Sequence, residues 1–168
     1  AGPLVPGDMA TGLPLFTTGD FVSHRKFLPD KEYGEALDSI VKGCTDLLVT
    51  GPGPGPRVLL GKRKVHPQPD WWFVGGRMVP GDTPAGSCAR IVRRELGLDL
   101  PHGRFTYVCS ACLTWAMREQ PPRENGTADV QVVLTAQLDE SEAACIALDA
   151  KEYDEWAWVV VALEHGLR

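Results

Sequence analysis

Residues 71–100 read WWFVGGRMVPGDTPAGSCARIVRRELGLDL, the pattern of a strand, a glycine loop and a capped helix in succession. The helix is predicted to cover 84–96, because Asp82 or Thr83 can cap its start, a proline suits its first turn and Gly97 suits its end. At about 100° per residue, this helix has one apolar stripe. The stripe consists of Cys88, Ile91, Val92 and Leu96.

Glu95 projects into that apolar stripe, whereas Arg90, Arg93 and Arg94 are predicted to project from the opposite side of the helix. A buried carboxylate costs free energy unless a cation pairs with it. A metal ion could be that cation. A core arginine, or a side chain that reaches solvent at the helix end, would account for Glu95 without any function.

The same segment resembles a Nudix box, whose pattern Gly-x5-Glu-x7-Arg-Glu-aliphatic-x-Glu-Glu-x-Gly-aliphatic starts here at Gly76. The box is degenerate: Asp82 shortens the first glutamate, Ile91 and Arg94 replace the second and third, and Glu95 keeps its carboxylate. An ordinary Nudix hydrolase uses the carboxylate cluster to hold several Mg²⁺ ions against a diphosphate. The resemblance implies that this helix cannot hold such a cluster.

One branch of the superfamily, the GDP-mannose mannosyl hydrolases, is similar in its departures, since it also lacks the middle glutamates and keeps the last. It has close relatives of the runs at 60–63 and 75–77, which read Leu-Gly-Lys-Arg and Gly-Gly-Arg. The resemblance covers roughly 30–160. It implies a Mg²⁺-dependent hydrolase of a nucleoside-diphosphate sugar, in which water attacks the anomeric carbon and the nucleoside diphosphate leaves.

The resemblance implies a site for one Mg²⁺ ion, with Mn²⁺ as the alternative. Its ligands would be the backbone carbonyl of Gly75 and the carboxylates of Glu95 and Glu152, because oxygen ligands suit a hard cation. Arg63 and Arg77 match the arginines implicated in neutralising the departing diphosphate, and a guanidinium offers a planar fork to phosphate oxygens.

Further matched positions concern the sugar and the general base. Asp46 and Gln131 match residues near the sugar. The base of the mannosyl hydrolases is a histidine, and here that position is Tyr153. Because an unperturbed tyrosine has a pKa near 10, phenolate is scarce at neutral pH. Tyr153 is one candidate for this role; Asp154 or Glu155 could substitute for it, with Asp154 ranked first because it is an alternate-residue neighbour of Glu152.

Composition limits the organisation of the chain. A length of 168 residues with 43% hydrophobic content suits one core, so we expect a single domain over 23–168 after a loosely ordered arm over 1–22. The net charge of -5 argues against nonspecific nucleic-acid binding. No apolar run is long enough for a bilayer. Five scattered cysteines indicate a reducing compartment, so a cytoplasmic location is predicted, with organelle import left open.

Strand patterns accompany the box helix along the chain. They lie at 39–50, 58–60, 105–117, 128–138 and 152–160. Helical potential is present at 31–37, and a short helix is predicted at 161–166. This order predicts an α/β fold of the Nudix type, an α/β/α sandwich with a mixed β-sheet.

Two functions are compatible with these observations. The first is the nucleotide-sugar hydrolase, which the resemblance makes a homodimer by analogy. The second is a noncatalytic Nudix-fold protein that binds a nucleotide, a nucleotide sugar or an RNA end, or serves as a structural subunit of a larger assembly. Ordinary pyrophosphohydrolysis is disfavoured by the missing carboxylates.

Overall fold

A computed structural model describes residues 5–8 and 11–160 of the chain. The elements in chain order are β1 (Val5–Asp8), β2 (Leu13–Leu15), α1 (Asp30–Ser39), β3 (Lys42–Thr50), β4 (Arg57–Arg63), β5 (Trp71–Trp72), β6 (Val74–Arg77), α2 (Pro84–Leu96), β7 (Thr106–Trp115), β8 (Thr127–Gln137), α3 (Glu140–Ala144) and β9 (Tyr153–Val160).

Strand β3 is the centre of a mixed seven-stranded sheet. It pairs in parallel with β8 on one side, and antiparallel with β4 and β6 on the other. Strand β7 extends the sheet beyond β8, while β5 and β9 pair with β4. Helix α2 packs against β3, β6 and β8. A mixed sheet with helices confirms the predicted α/β class.

Helix α2 has the predicted bounds. The Thr83 hydroxyl accepts a hydrogen bond of 3.1 Å from the Gly86 amide, so Thr83 is the N-cap. The helix ends at Gly97, whose φ of 70° places it in the left-handed region that glycine adopts readily. The predicted apolar stripe of α2 is buried. Three of its residues, Cys88, Val92 and Leu96, pack into the core with Leu47, Phe105 and Leu134.

The start of β3 is later than the sequence pattern indicated. The strand begins at Lys42, because α1 continues to Ser39 and the chain needs residues 40–41 to turn into the sheet. The segment predicted as a loose arm over 1–22 contains the pairing of β1 with β2. Gly12, directly before β2, has a φ of 65°, a conformation that glycine adopts readily. The predicted helix at 161–166 lies outside the described residues.

Two further sequence expectations concern cysteines and membranes. All five cysteines lie in the described part of the chain, and none forms a disulfide. Within 5–8 and 11–160, no helix has the length and apolarity that crossing a bilayer requires.

Candidate functional site

A polar cleft of about 160 Å³ opens beside β3, β6 and β8. The sheet register explains why distant residues meet there. Asp46 lies opposite Gly75 across the β3–β6 pair, and Cys44 lies opposite Gln131 across the β3–β8 pair. Five residues predicted from the sequence line this cleft, namely Asp46, Arg63, Gly75, Arg77 and Gln131.

Asp46 is a buried carboxylate, with 5% of its surface exposed. Its Oδ2 accepts a hydrogen bond of 3.1 Å from Trp72 Nε1. With the Gln131 amide turned so that its nitrogen faces Asp46, that nitrogen donates to both carboxylate oxygens at 3.2 and 3.3 Å. Burial raises the pKa of Asp46 from 3.8 to about 6, against the opposing effects of the Trp72 hydrogen bond and the Arg63 charge. Near neutral pH, Asp46 is therefore a carboxylate that can accept a proton.

Gly75 is required by the closeness of the two strands. A Cβ atom at this position would overlap Asp46 Oδ1 and lie 2.8 Å from the carbonyl oxygen of Thr45. The absence of a side chain on Gly75 therefore lets β6 approach the Asp46 carboxylate.

Basic side chains provide positive charge in the cleft. Arg63 lies 3.6 Å from the Glu152 carboxylate, and its buried Nε has no hydrogen-bond partner among the described residues. The guanidinium of Arg77 lies over the ring of Tyr33, 4.9 Å from its centroid. Lys42, which also lines the cleft, pairs with Asp129 at 3.0 Å. The two arginines are therefore the candidates for binding an anionic group.

Two tryptophans form an aromatic wall of the cleft, which the sequence did not predict as a site feature. The rings of Trp72 and Trp115 meet edge to face with centroids 5.3 Å apart. Trp115 Nε1 donates a hydrogen bond of 2.8 Å to Asp129. In the sequence, the signal for a polar cleft on this face was the pair of polar residues Asp129 and Gln131 at alternate positions of a strand. Both side chains are buried on the cleft side.

Glu95 is fully buried on α2, as its position in the apolar stripe predicted. Its Oε2 accepts a hydrogen bond of 2.5 Å from the Tyr153 hydroxyl, and its Oε1 forms an ion pair with the guanidinium of Arg94. Burial raises the pKa of Glu95, while these two partners oppose the shift. Pairing with an arginine is thus the arrangement found, although Arg94 was expected to project from the opposite side of the helix.

Tyr153 and Asp154, two of the residues predicted as candidate bases, do not line the cleft. Burial and the Glu95 carboxylate raise the pKa of Tyr153, so its phenol stays protonated and donates to Glu95. Asp154 is exposed and lies 3.5 Å from Lys64 Nζ. Their roles as base stay predictions that this arrangement does not favour.

The residues predicted to hold Mg²⁺ do not fit a resident divalent ion in this arrangement. Both oxygens of Glu95 already have partners, and Glu152 lies beside the guanidinium of Arg63. Over the part of the chain that the structure describes, no group of three or more His, Cys, Asp or Glu side chains could hold a metal ion. The ligand set of Gly75, Glu95 and Glu152 therefore stays a prediction from the sequence.

Residues 45–164 of the chain match the family model of the NUDIX domain. Among curated proteins, an octanoyltransferase from Myxococcus xanthus is 35% identical over 100 residues. That match covers 56% of this chain and 28% of the Myxococcus protein. The chain therefore spans less than a third of the length of that relative.

Similar solved structures agree with the family match. A MutT NUDIX hydrolase from Burkholderia pseudomallei superposes with a TM-score of 0.57 at 22% identity, over 76% of this chain and 92% of that chain. The NUDIX domain of NrtR from Shewanella oneidensis, solved with ADP-ribose, has a TM-score of 0.53 at 14% identity, over 71% of this chain and 73% of that one. At these low identities, the two superpositions show a shared fold alone.

Proposed function

Because this chain belongs to the NUDIX domain family, which matches residues 45–164, we propose that it hydrolyses a compound containing a nucleoside diphosphate. The substrate class that we propose is a nucleoside-diphosphate sugar of the GDP-mannose type, which follows from the degenerate box. The observation that supports this choice is that Asp46, Arg63, Arg77 and Gln131 line one cleft with two tryptophans.

The diphosphate is assigned to the arginines. A guanidinium group is cationic, and Arg63 and Arg77 can each offer two N–H donors to phosphate oxygens. Positive charge aimed at the departing diphosphate lowers the barrier to its release. The aromatic wall of Trp72 and Trp115 offers an apolar surface to the base or sugar.

The general base in this proposal is Asp46. Water attacks the anomeric carbon, the bond from that carbon to the diphosphate oxygen breaks, and the nucleoside diphosphate leaves with the bonding electrons. Asp46 takes the proton from the attacking water, since a carboxyl group with a pKa of about 6 is largely ionised at neutral pH and basic enough to accept it. Gln131, which donates to the same carboxylate, would orient Asp46.

Nudix hydrolases generally use divalent metal ions. The dependence on one Mg²⁺ or Mn²⁺ ion follows from the sequence resemblance, and no step of the proposed reaction is routed through an ion, because Glu95 and Glu152 do not fit one in this arrangement. The proposed homodimer, the cytoplasmic location and membership of a larger assembly rest on analogy and composition. Light scattering of the purified chain tests the dimer.

Incubation with GDP-mannose, GDP-glucose and ADP-ribose, each with and without Mg²⁺, tests the function. Free sugar and intact GDP support the proposal, whereas a nucleoside monophosphate would indicate pyrophosphohydrolysis instead. The Arg77→Gln variant should raise KM at least tenfold, because it removes a cationic group from the cleft. Arg93→Gln on α2 is the matched control and should leave KM unchanged, because Arg93 pairs with Asp99 at an exposed position away from the cleft.

A second candidate function is binding of the same ligands without turnover. It is favoured by the arrangement of Glu95, whose carboxylate is occupied by Arg94 and Tyr153. Saturable binding of GDP-mannose by calorimetry with no product after prolonged incubation would select this candidate. Loss of that binding in Arg77→Gln, with binding retained in Arg93→Gln, would assign it to the same cleft.

A further inference from the structure

The strongest feature outside the proposed reaction is the pairing of two consecutive helix residues, Arg94 and Glu95. We propose that the guanidinium of Arg94 is the resident cation of this site, and that it makes the box helix independent of a tightly bound divalent ion. This inference does not depend on whether the cleft hydrolyses or only binds its ligand.

Both oxygens of the Glu95 carboxylate have partners. The side chain is fully buried, and a buried carboxylate is retained only when its charge and its lone pairs are compensated. Arg94 compensates the charge through Oε1, and the Tyr153 hydroxyl donates to Oε2. An ion coordinated by Glu95 would have to lie beside the positive charge of the Arg94 guanidinium, which repels it.

The guanidinium of Arg94 lies close to the cleft. Arg94 is 44% exposed, although the carboxylate with which it pairs is buried. One of its nitrogens, Nη2, lies 3.4 Å from the position that a Cβ atom of Gly76 would take. Gly76 lines the cleft. The positive charge of Arg94 therefore lies between the buried carboxylate and the wall of the cleft.

The positive charges near Glu95 balance the negative ones. Arg63 lies 3.6 Å from Glu152, and Arg94 pairs with Glu95, so two guanidinium groups face two carboxylates. This group of four is already neutral. A divalent ion added there would leave two excess positive charges beside two guanidinium groups, and that repulsion opposes its binding.

Binding of Mn²⁺, counted by electron paramagnetic resonance of the free ion, tests the proposal on the full chain. The wild type should bind no stoichiometric Mn²⁺ up to roughly millimolar concentration, the range of weak sites. Arg94→Glu places a second carboxylate next to Glu95 and should bind one equivalent at least tenfold more tightly than the wild type. Arg93→Glu makes the same charge change at a 69% exposed side chain and should behave like the wild type.

Thermal unfolding gives a second readout, which decides the matter if Arg94→Glu does not fold. Mn²⁺ should raise the Tm of Arg94→Gln, in which Glu95 has lost its cation, and leave the Tm of the wild type and of Arg94→Lys unchanged. An equal response of Arg94→Gln and the wild type overturns the proposal. So does stoichiometric Mn²⁺ binding by the wild type that Glu95→Gln abolishes. Because neither readout involves turnover, failure of the hydrolase proposal is a separate result.

Discussion

The hydroxyl of Tyr153 donates a hydrogen bond of 2.5 Å to Oε2 of Glu95, across 58 positions of the chain. Both side chains are buried, with 3% and 0% of their surfaces exposed. The bond joins the first residue of β9 to the last turn of α2. It therefore links the degenerate box directly to Tyr153, one of the residues predicted from the sequence as a candidate base.

Replacement of Tyr153 by Phe should lower the free energy of unfolding by about 1–3 kcal/mol, because one oxygen of a buried carboxylate loses its donor. Urea denaturation followed by tryptophan fluorescence measures this change. Tyr107→Phe is the matched control: its hydroxyl bonds Ser110 at 3.1 Å on an exposed strand, so the change should stay below about 0.5 kcal/mol. Equal losses in both variants would contradict the importance of the buried bond.

The pH dependence of the free energy of unfolding should reveal the raised pKa of Asp46. Its pKa is raised from 3.8 to about 6 in the folded protein, so the folded state binds the proton more tightly than the unfolded state. The stability that this proton contributes is complete below pH 3.8 and is lost as the pH rises through 6. A shift of this size corresponds to about 3 kcal/mol.

Asp46→Asn isolates this contribution, because other carboxylates titrate in both proteins. The wild type should lose stability relative to Asp46→Asn as the pH rises from 4 to 7, measured by urea unfolding at each pH. Parallel curves for the two proteins would mean that the pKa of Asp46 is not raised.

Gly75→Ala should destabilise the fold by about 1–3 kcal/mol, because the added methyl group must displace either the Asp46 carboxylate or the β3 backbone. It should also weaken binding of the nucleotide sugar. Gly103→Ala is the control, since a Cβ atom there meets nothing within 4 Å. Thermal unfolding and calorimetric binding measure the two effects, and a Gly75→Ala variant indistinguishable from Gly103→Ala would argue against the close approach of β6 to Asp46.

Arg118→Gln should destabilise the fold by about 1–3 kcal/mol, because the buried carbonyl of Gly126 loses a hydrogen-bond donor. Arg118 is 2% exposed, pairs with Asp38 at 2.6 Å and donates to the carbonyl of Gly126 at 3.1 Å. It thereby ties α1 to the loop before β8. The control is Arg123→Gln at an exposed ion pair, for which about 0–1 kcal/mol is expected. Chemical denaturation of the two variants should separate them clearly.

The sequence alone determined the parts of the protein that depend on neighbouring residues. The bounds of α2 follow from Thr83, Pro84 and Gly97, because capping and the turn after a helix are local interactions. The burial of Glu95 follows from helical periodicity in the same way. The replacement of the middle glutamates of the box was also visible at this level.

Only the tertiary structure decided which groups compensate the buried charges. Arg94 was expected to project away from Glu95, because helical projection gives only the direction of the Cα–Cβ bond. The long flexible side chain of arginine carries the guanidinium back to Glu95. Trp72 and Gln131 reach Asp46 through pairings of β3 with strands that are distant in sequence. Partners of this kind depend on sheet register and packing, which no local pattern encodes.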